Sequence, residues 1–189
     1  MLLAQFQSVG RDLFARGLVS SQSGNLSVRM GERIYITRRG GMLNSLREND
    51  IIETGVNRNS RATPLASIEL PVHRAIYKET QASAIVHAHS PYAIALSLTE
   101  QEIIPNNTEG LAVLGTIPVV GWGMEVKPGG LNDVISAALK QSRIIMVRGH
   151  GSFAIGQLLE EAYNLTTCLE ESCQILYLLK SLQASPARK

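Results

Sequence analysis

Apolar residues at Leu2, Leu3, Phe6, Val9, Leu13 and Phe14 recur at the three- and four-residue spacing that lines one side of a helix, and Gly17 marks its end. The pattern then shortens. Residues 26–28, 34–37 and 51–53 are brief apolar runs separated by Gly, Asn and charged positions, which predicts an antiparallel meander with loops around Gly40-Gly41 and 57–60. Residues 67–80 return to helical spacing, and Pro71 is tolerated because a first turn has no use for the missing N–H. A continuous apolar run over 84–89 predicts a buried strand, followed by a helix over 91–98 and an irregular stretch through Gly110. Strands are expected at 117–120 and 143–147, with a helix over 132–141 between them and 153–155 as a hairpin partner.

A long amphipathic helix over 158–182 closes the pattern, with Leu158, Ala162, Leu165, Leu169, Ile175, Leu176 and Leu179 among its apolar positions, and a flexible tail is expected over 183–189. Helices at both ends and between the strands predict a sheet covered on two faces, an α/β fold. At 189 residues and 44% hydrophobic content, one core suffices, so residues 1–189 read as a single domain.

Charge narrows the partners. The net charge is +2, and the absence of dense Lys/Arg runs interleaved with aromatics argues against a nucleic-acid partner. The opening residues carry no charged leader with a long apolar core, and no stretch is long enough to cross a bilayer, so a soluble cytoplasmic protein is expected. Cys168 and Cys173 lie five apart in a helical pattern, which suits neither a redox pair nor a zinc knuckle and predicts buried reduced thiols.

Chemistry concentrates in the histidines. Two of the four, His87 and His89, stand two apart in Ala84-Ile85-Val86-His87-Ala88-His89-Ser90, a spacing that puts both rings on one face of a strand. Burying two imidazoles in an apolar strand costs free energy unless they find partners, which favours a shared metal over two unrelated core histidines. His150 lies between Gly149 and Gly151 just after the apolar run 144–147. Three neutral imidazoles leave a coordination position open, the arrangement of catalytic rather than structural zinc, although they also accept Mn²⁺, Co²⁺ or Fe²⁺.

Glu69 precedes the helix beginning near Leu70 and is the best candidate base, although on position alone a favourable helix-dipole partner is the stronger reading. His73, four residues on, reads as a packing or hydrogen-bonding histidine. Gly24-Asn25-Leu26-Ser27 could offer backbone N–H groups to an anion, and Arg38-Arg39-Gly40-Gly41 adds a planar guanidinium fork.

Taken together, Gly24-Asn25-Leu26-Ser27-Val28, Ser67-Ile68-Glu69, Ile85-Val86-His87-Ala88-His89-Ser90 and Gly149-His150-Gly151 resemble, in order and spacing, the class II aldolase/adducin family, its fuculose-phosphate aldolases included. The resemblance implies a three-layer α/β/α sandwich with a central, mostly antiparallel sheet, and a homotetramer with active sites between subunits. It implies Zn²⁺ on His87, His89 and His150, and Glu69 as the acid/base residue of a lyase that cleaves a small ketose phosphate or related hydroxy-ketone through a metal-stabilised enediolate. Gly24, Asn25 and Ser67 match the family's phosphate cradle. Arg39-Gly40 stands where the family has a Thr-Gly pair, Ile68 replaces a second serine, and Glu109 occupies the place of a tyrosine; a carboxylate would suit this altered pocket as well as a phosphate. A dehydratase (methylthioribulose-phosphate dehydratase-like), decarboxylase or epimerase on the same fold, and a non-catalytic adducin-like binding module, are the alternatives.

Overall fold

The computed structural model describes residues 2–123 and 131–184. Helix α1 (Leu2–Ala15) leads into the meander β1 (Asn25–Met30), β2 (Arg33–Thr37) and β3 (Ile51–Gly55). Then follow α2 (Leu70–Glu79), β4 (Ala84–Ala88), α3 (Pro91–Ser97), β5 (Glu102–Ile103), α4 (Thr108–Val113), β6 (Ile117–Val120), α5 (Asn132–Ala138), the hairpin β7 (Ile144–Val147) and β8 (Gly151–Gly156), and α6 (Leu159–Ala184). The strands form one sheet in the order β3-β2-β1-β4-β8-β7-β6-β5. Every neighbouring pair is antiparallel except β6 and β7. This is the expected three-layer α/β/α sandwich.

Strand β4 shows why the sheet needs both helical layers. All five of its residues are buried, and they alternate between two cores. Ala84, Val86 and Ala88 belong to the core shared with α1, α3 and α6, where Phe6, Leu13, Ala162, Leu165 and Leu169 pack. Ile85 faces the other core, with Val72, Ile76 and Tyr77 of α2, Ile135 of α5, and Phe153 of β8. Small alanines on the first face let the long helix approach closely. Its buried positions Leu159, Ala162, Leu165, Leu169 and Cys173 follow the helical period, and each buried leucine contributes about 2 kcal/mol of apolar burial.

Three departures from the sequence expectation lie around the histidines and the segment that follows them, while other element ends shift by one to three residues. The helix expected over 67–80 starts at Leu70, because Ser67 and Glu69 form the turn that precedes it: Leu70 N–H donates to the Ser67 carbonyl. The stretch expected to be irregular through Gly110 contains β5 and the start of α4. The strand expected to reach His89 ends at Ala88, so His89 lies outside the ladder. The tail expected over 183–189 lies outside the described residues beyond Ala184. Among the described residues, no helix is long and apolar enough to cross a membrane.

Candidate metal and proton-transfer site

Sheet pairing fixes His87 on both sides. It stands opposite Asn25 of β1 and Phe153 of β8, and its ring stacks on that phenyl with centroids 4.2 Å apart. Its Nδ1–H donates to the Ser152 carbonyl at 2.8 Å, which leaves the lone pair on Nε2. His89 reaches the same point from just beyond the strand, its Nε2 2.9 Å from that of His87, and its backbone N–H donates to the Leu18 carbonyl. His150 arrives from the β7–β8 turn, its ring 4.9 Å from that of His87 and 5.0 Å from that of His89. One ligating nitrogen from each of the three lies within 4.8 Å of the others.

Glu69 completes the cluster. Its Oε2 lies 3.2 Å from His87 Nε2 and its Oε1 3.5 Å from His150 Nε2. The carboxylate is nearly buried, and Asn25 Nδ2 donates to Oε2 at 3.4 Å. The Glu69 backbone N–H in turn donates to Ser67 Oγ at 3.2 Å. Two imidazole nitrogens and a carboxylate oxygen thus converge with more lone pairs than protons between them, a donor set that a cation resolves. His87, His89 and His150 could hold a metal ion. The His150 ring is about one-third exposed while that of His87 is sealed, so the cluster opens to solvent on the His150 side.

Electrostatics favour the neutral form of His87 and His89, the form in which an imidazole ligates a metal. Burial holds His87 well below the ordinary histidine range, reinforced by the neighbouring His89 and His150 and opposed by the Ser152 carbonyl. His89 is lowered by burial and then by His150. Gly151 makes room for the arrangement: a Cβ there would stand 2.4 Å from the Ala88 carbonyl oxygen and 3.1 Å from both His87 Cε1 and His89 Cδ2.

The other expected residues distribute unevenly. Gly24 abuts the site through backbone, since a Cβ would meet the His87 carbonyl oxygen at 2.9 Å and its φ is +75°. Arg39 lies on the loop after β2 with an exposed side chain, its N–H donating to the Leu65 carbonyl. Gly40 follows with φ +67° and open space around it, so conformation rather than crowding requires glycine there. Glu109 sits on α4 beside a groove it shares with Arg143, Cys168 and Glu171, and the structure does not bring it to the histidines within one chain. Both cysteines are free and buried.

Behind the site, Ser27 Oγ bonds His73 Nδ1 at 2.6 Å and the Tyr77 hydroxyl at 2.7 Å, so His73 is the hydrogen-bonding histidine its position suggested. Sequence reasoning had no sign of Ser27 or Tyr77 in this network. Complete burial pushes His73 down to about 3. Below pH 6.5 the unfolded chain therefore takes up a proton that the folded chain refuses, and stability falls as pH falls through the window from 6.5 to 3. This one group costs about 1.4 kcal/mol per pH unit there. Urea unfolding between about pH 7 and 5 should show the midpoint dropping, and His73→Asn should flatten that dependence; an equal slope in the variant would refute the assignment.

A three-layer sandwich carrying three convergent histidines and a buried glutamate beside the central strands of its sheet describes a known class of protein. The chain belongs to the family of class II aldolases and adducin N-terminal domains, which matches residues 4–177. It is 32% identical over 188 residues to L-fuculose phosphate aldolase of Methanococcus maripaludis, covering 97% of this chain and all of that one. The crystal structure of L-fuculose-1-phosphate aldolase from Thermus thermophilus superimposes with a TM-score of 0.92 at 38% identity, over 99% of this chain and 98% of the other. A further relative, 3-oxo-tetronate 4-phosphate decarboxylase of Haemophilus influenzae, is 28% identical over 91% of this chain and 85% of its own.

Proposed function

We propose that the protein is a zinc-dependent aldolase that cleaves a small ketose phosphate, with His87, His89 and His150 holding the ion and Glu69 transferring the proton. The observation that carries this reading is the Glu69 carboxylate, nearly buried and within 3.5 Å of two of the three histidines. An ion held by His87, His89 and His150 would supply Lewis acidity to the substrate carbonyl. Glu69 accepts the proton from the hydroxyl whose oxygen becomes the aldehyde carbonyl and returns it to the carbon that keeps the bonding pair, so protons balance over the cycle. Asn25 orients that carboxylate through Nδ2.

Gly24, Asn25, Ser67, Gly40 and Arg39 hold the anionic end of the substrate, with the Arg39 guanidinium as its counter-charge. Glu109 does not meet the histidines of its own chain, so its contact with substrate runs across a subunit boundary in a homotetramer. Exposed apolar side chains at Ile104, Leu111, Leu178 and Leu182 support self-association. The proposed setting is the cytoplasm.

Decarboxylation is the second reading. It draws on the same polarised carbonyl, the likeness to the decarboxylase of Haemophilus influenzae favours it, and Arg39 suits a carboxylate as well as a phosphate. The test is to incubate the Zn²⁺-loaded protein with a panel of ketose phosphates and of 3-oxo sugar-acid phosphates, reading aldehyde and CO₂ separately. Aldehyde release that chelation abolishes and Zn²⁺ restores is expected. No aldehyde from any substrate overturns the aldolase reading, and CO₂ in its place establishes the decarboxylase.

A further inference from the structure

His87 is locked by hydrogen-bonded strands on both sides, but His89 follows the last residue of β4 and has no ladder to hold it. Its backbone is tied on the near side by the N–H bond to the Leu18 carbonyl. On the far side the chain turns through Ser90 into α3, and the first-turn amides of α3 are bound from a distant element. Glu170, on α6, accepts Tyr92 N–H at 3.0 Å through Oε1 and Ala93 N–H at 3.0 Å through Oε2.

Those are the amides an N-cap side chain ordinarily satisfies. Ser90 occupies the N-cap position yet makes no capping bond, and its fully buried Oγ has no partner among the described residues. The long helix has therefore taken over the cap of the short one. A local serine cap would fix α3 only relative to its own preceding residue, whereas a carboxylate from α6 fixes it relative to the whole α6 layer.

We infer that Glu170 is a positioning residue for the metal centre: by clamping the start of α3 to α6 it sets where His89 presents its imidazole. This rests on the reading of His87, His89 and His150 as metal ligands. Glu170 does not touch the histidines; it acts through the backbone of residues 89–93. The clamp is charge-assisted and partly buried, so it resists the rotation that would swing His89 away from His87.

The test is titration of the metal-free protein with Co²⁺, reading the visible ligand-field absorption and the affinity against a chelator, for the parent, Glu170→Ala and Glu170→Gln. Glu170→Ala is expected to lower Co²⁺ affinity about tenfold, the scale on which supporting groups around metal ligands act, and to change the ligand-field spectrum. Glu170→Gln keeps one acceptor oxygen and should fall between the two. Glu161→Ala is the control. It also removes a carboxylate that accepts a backbone N–H, that of Gln157, but in the first turn of α6 and away from α3; it should bind Co²⁺ as the parent does.

Parent-like affinity and spectrum in either Glu170 variant would overturn the inference while leaving the metal site standing. Should Glu170→Ala not fold, Glu170→Gln decides alone, a several-fold loss supporting the clamp and no loss refuting it. A parent that takes up no Co²⁺ would overturn the metal reading and this inference with it.

Discussion

Glu69→Gln is expected to cut turnover of the proposed cleavage about a thousandfold while the fold and metal uptake persist. Glutamine keeps the shape of the side chain and an oxygen for Asn25 Nδ2, so the hydrogen bond that orients it survives. What disappears is the ability to take and return a proton, and positioned acid–base groups contribute about 10²–10⁴ in rate. Because Glu69 is nearly buried, bulk water cannot readily substitute for it. The effect should fall on kcat with KM little changed, since the residues proposed to grip the anionic end are untouched. A Glu69→Gln enzyme within about tenfold of the parent would remove Glu69 from the proton path.

His87→Ala is the second large effect, and it should strike stability as well as chemistry. The ring is sealed from solvent, stacked on Phe153 and bonded to the Ser152 carbonyl. Its removal opens a cavity beside Phe153 and leaves that carbonyl without the imidazole donor, a combined cost of about 3 kcal/mol or a melting temperature lower by roughly 10 °C. Stoichiometric Zn²⁺ uptake and activity should vanish together. His150→Ala gives the contrast: its ring is about one-third exposed, so metal uptake should be lost with the melting temperature of the metal-free protein nearly unchanged. Metal analysis and thermal melts of the two metal-free variants would settle it, and equal melting temperatures would show that His87 has no structural share.

Much of this arrangement was legible in the sequence because it repeats with a period. The alternation along β4 and the helical spacing of Leu165 and Leu169 are written in side-chain type, and two histidines two apart in an apolar run stand out against it. The region through Gly110 was not legible. Strand β5 has two residues and α4 six, with Gly110 inside the helix. That glycine is there for space: a Cβ would fall 2.3 Å from Ser172 Oγ and 2.6 Å from Asn107 Oδ1. A residue chosen for long-range crowding reads locally as a loop.

The supports of the site were hidden for a different reason. His87 Nδ1–H donates to a backbone carbonyl and Glu170 accepts from backbone amides, and every residue offers a carbonyl while all but proline offer an amide, so neither bond leaves a trace in residue type. Glu69 needed the family likeness, since a glutamate ahead of a helix is commonplace. His89 was expected within the strand and in fact lies one step past it. Its ring still meets that of His87, Nε2 to Nε2 at 2.9 Å.

Strand β4 divides labour by parity. Its even-numbered positions, Ala84, Val86 and Ala88, serve only cohesion with the α6 side, while the odd-numbered Ile85 and His87 face the layer that carries Glu69. Mutational drift can therefore rework the adhesive half of this ribbon, trading one small apolar residue for another, without disturbing the reactive half.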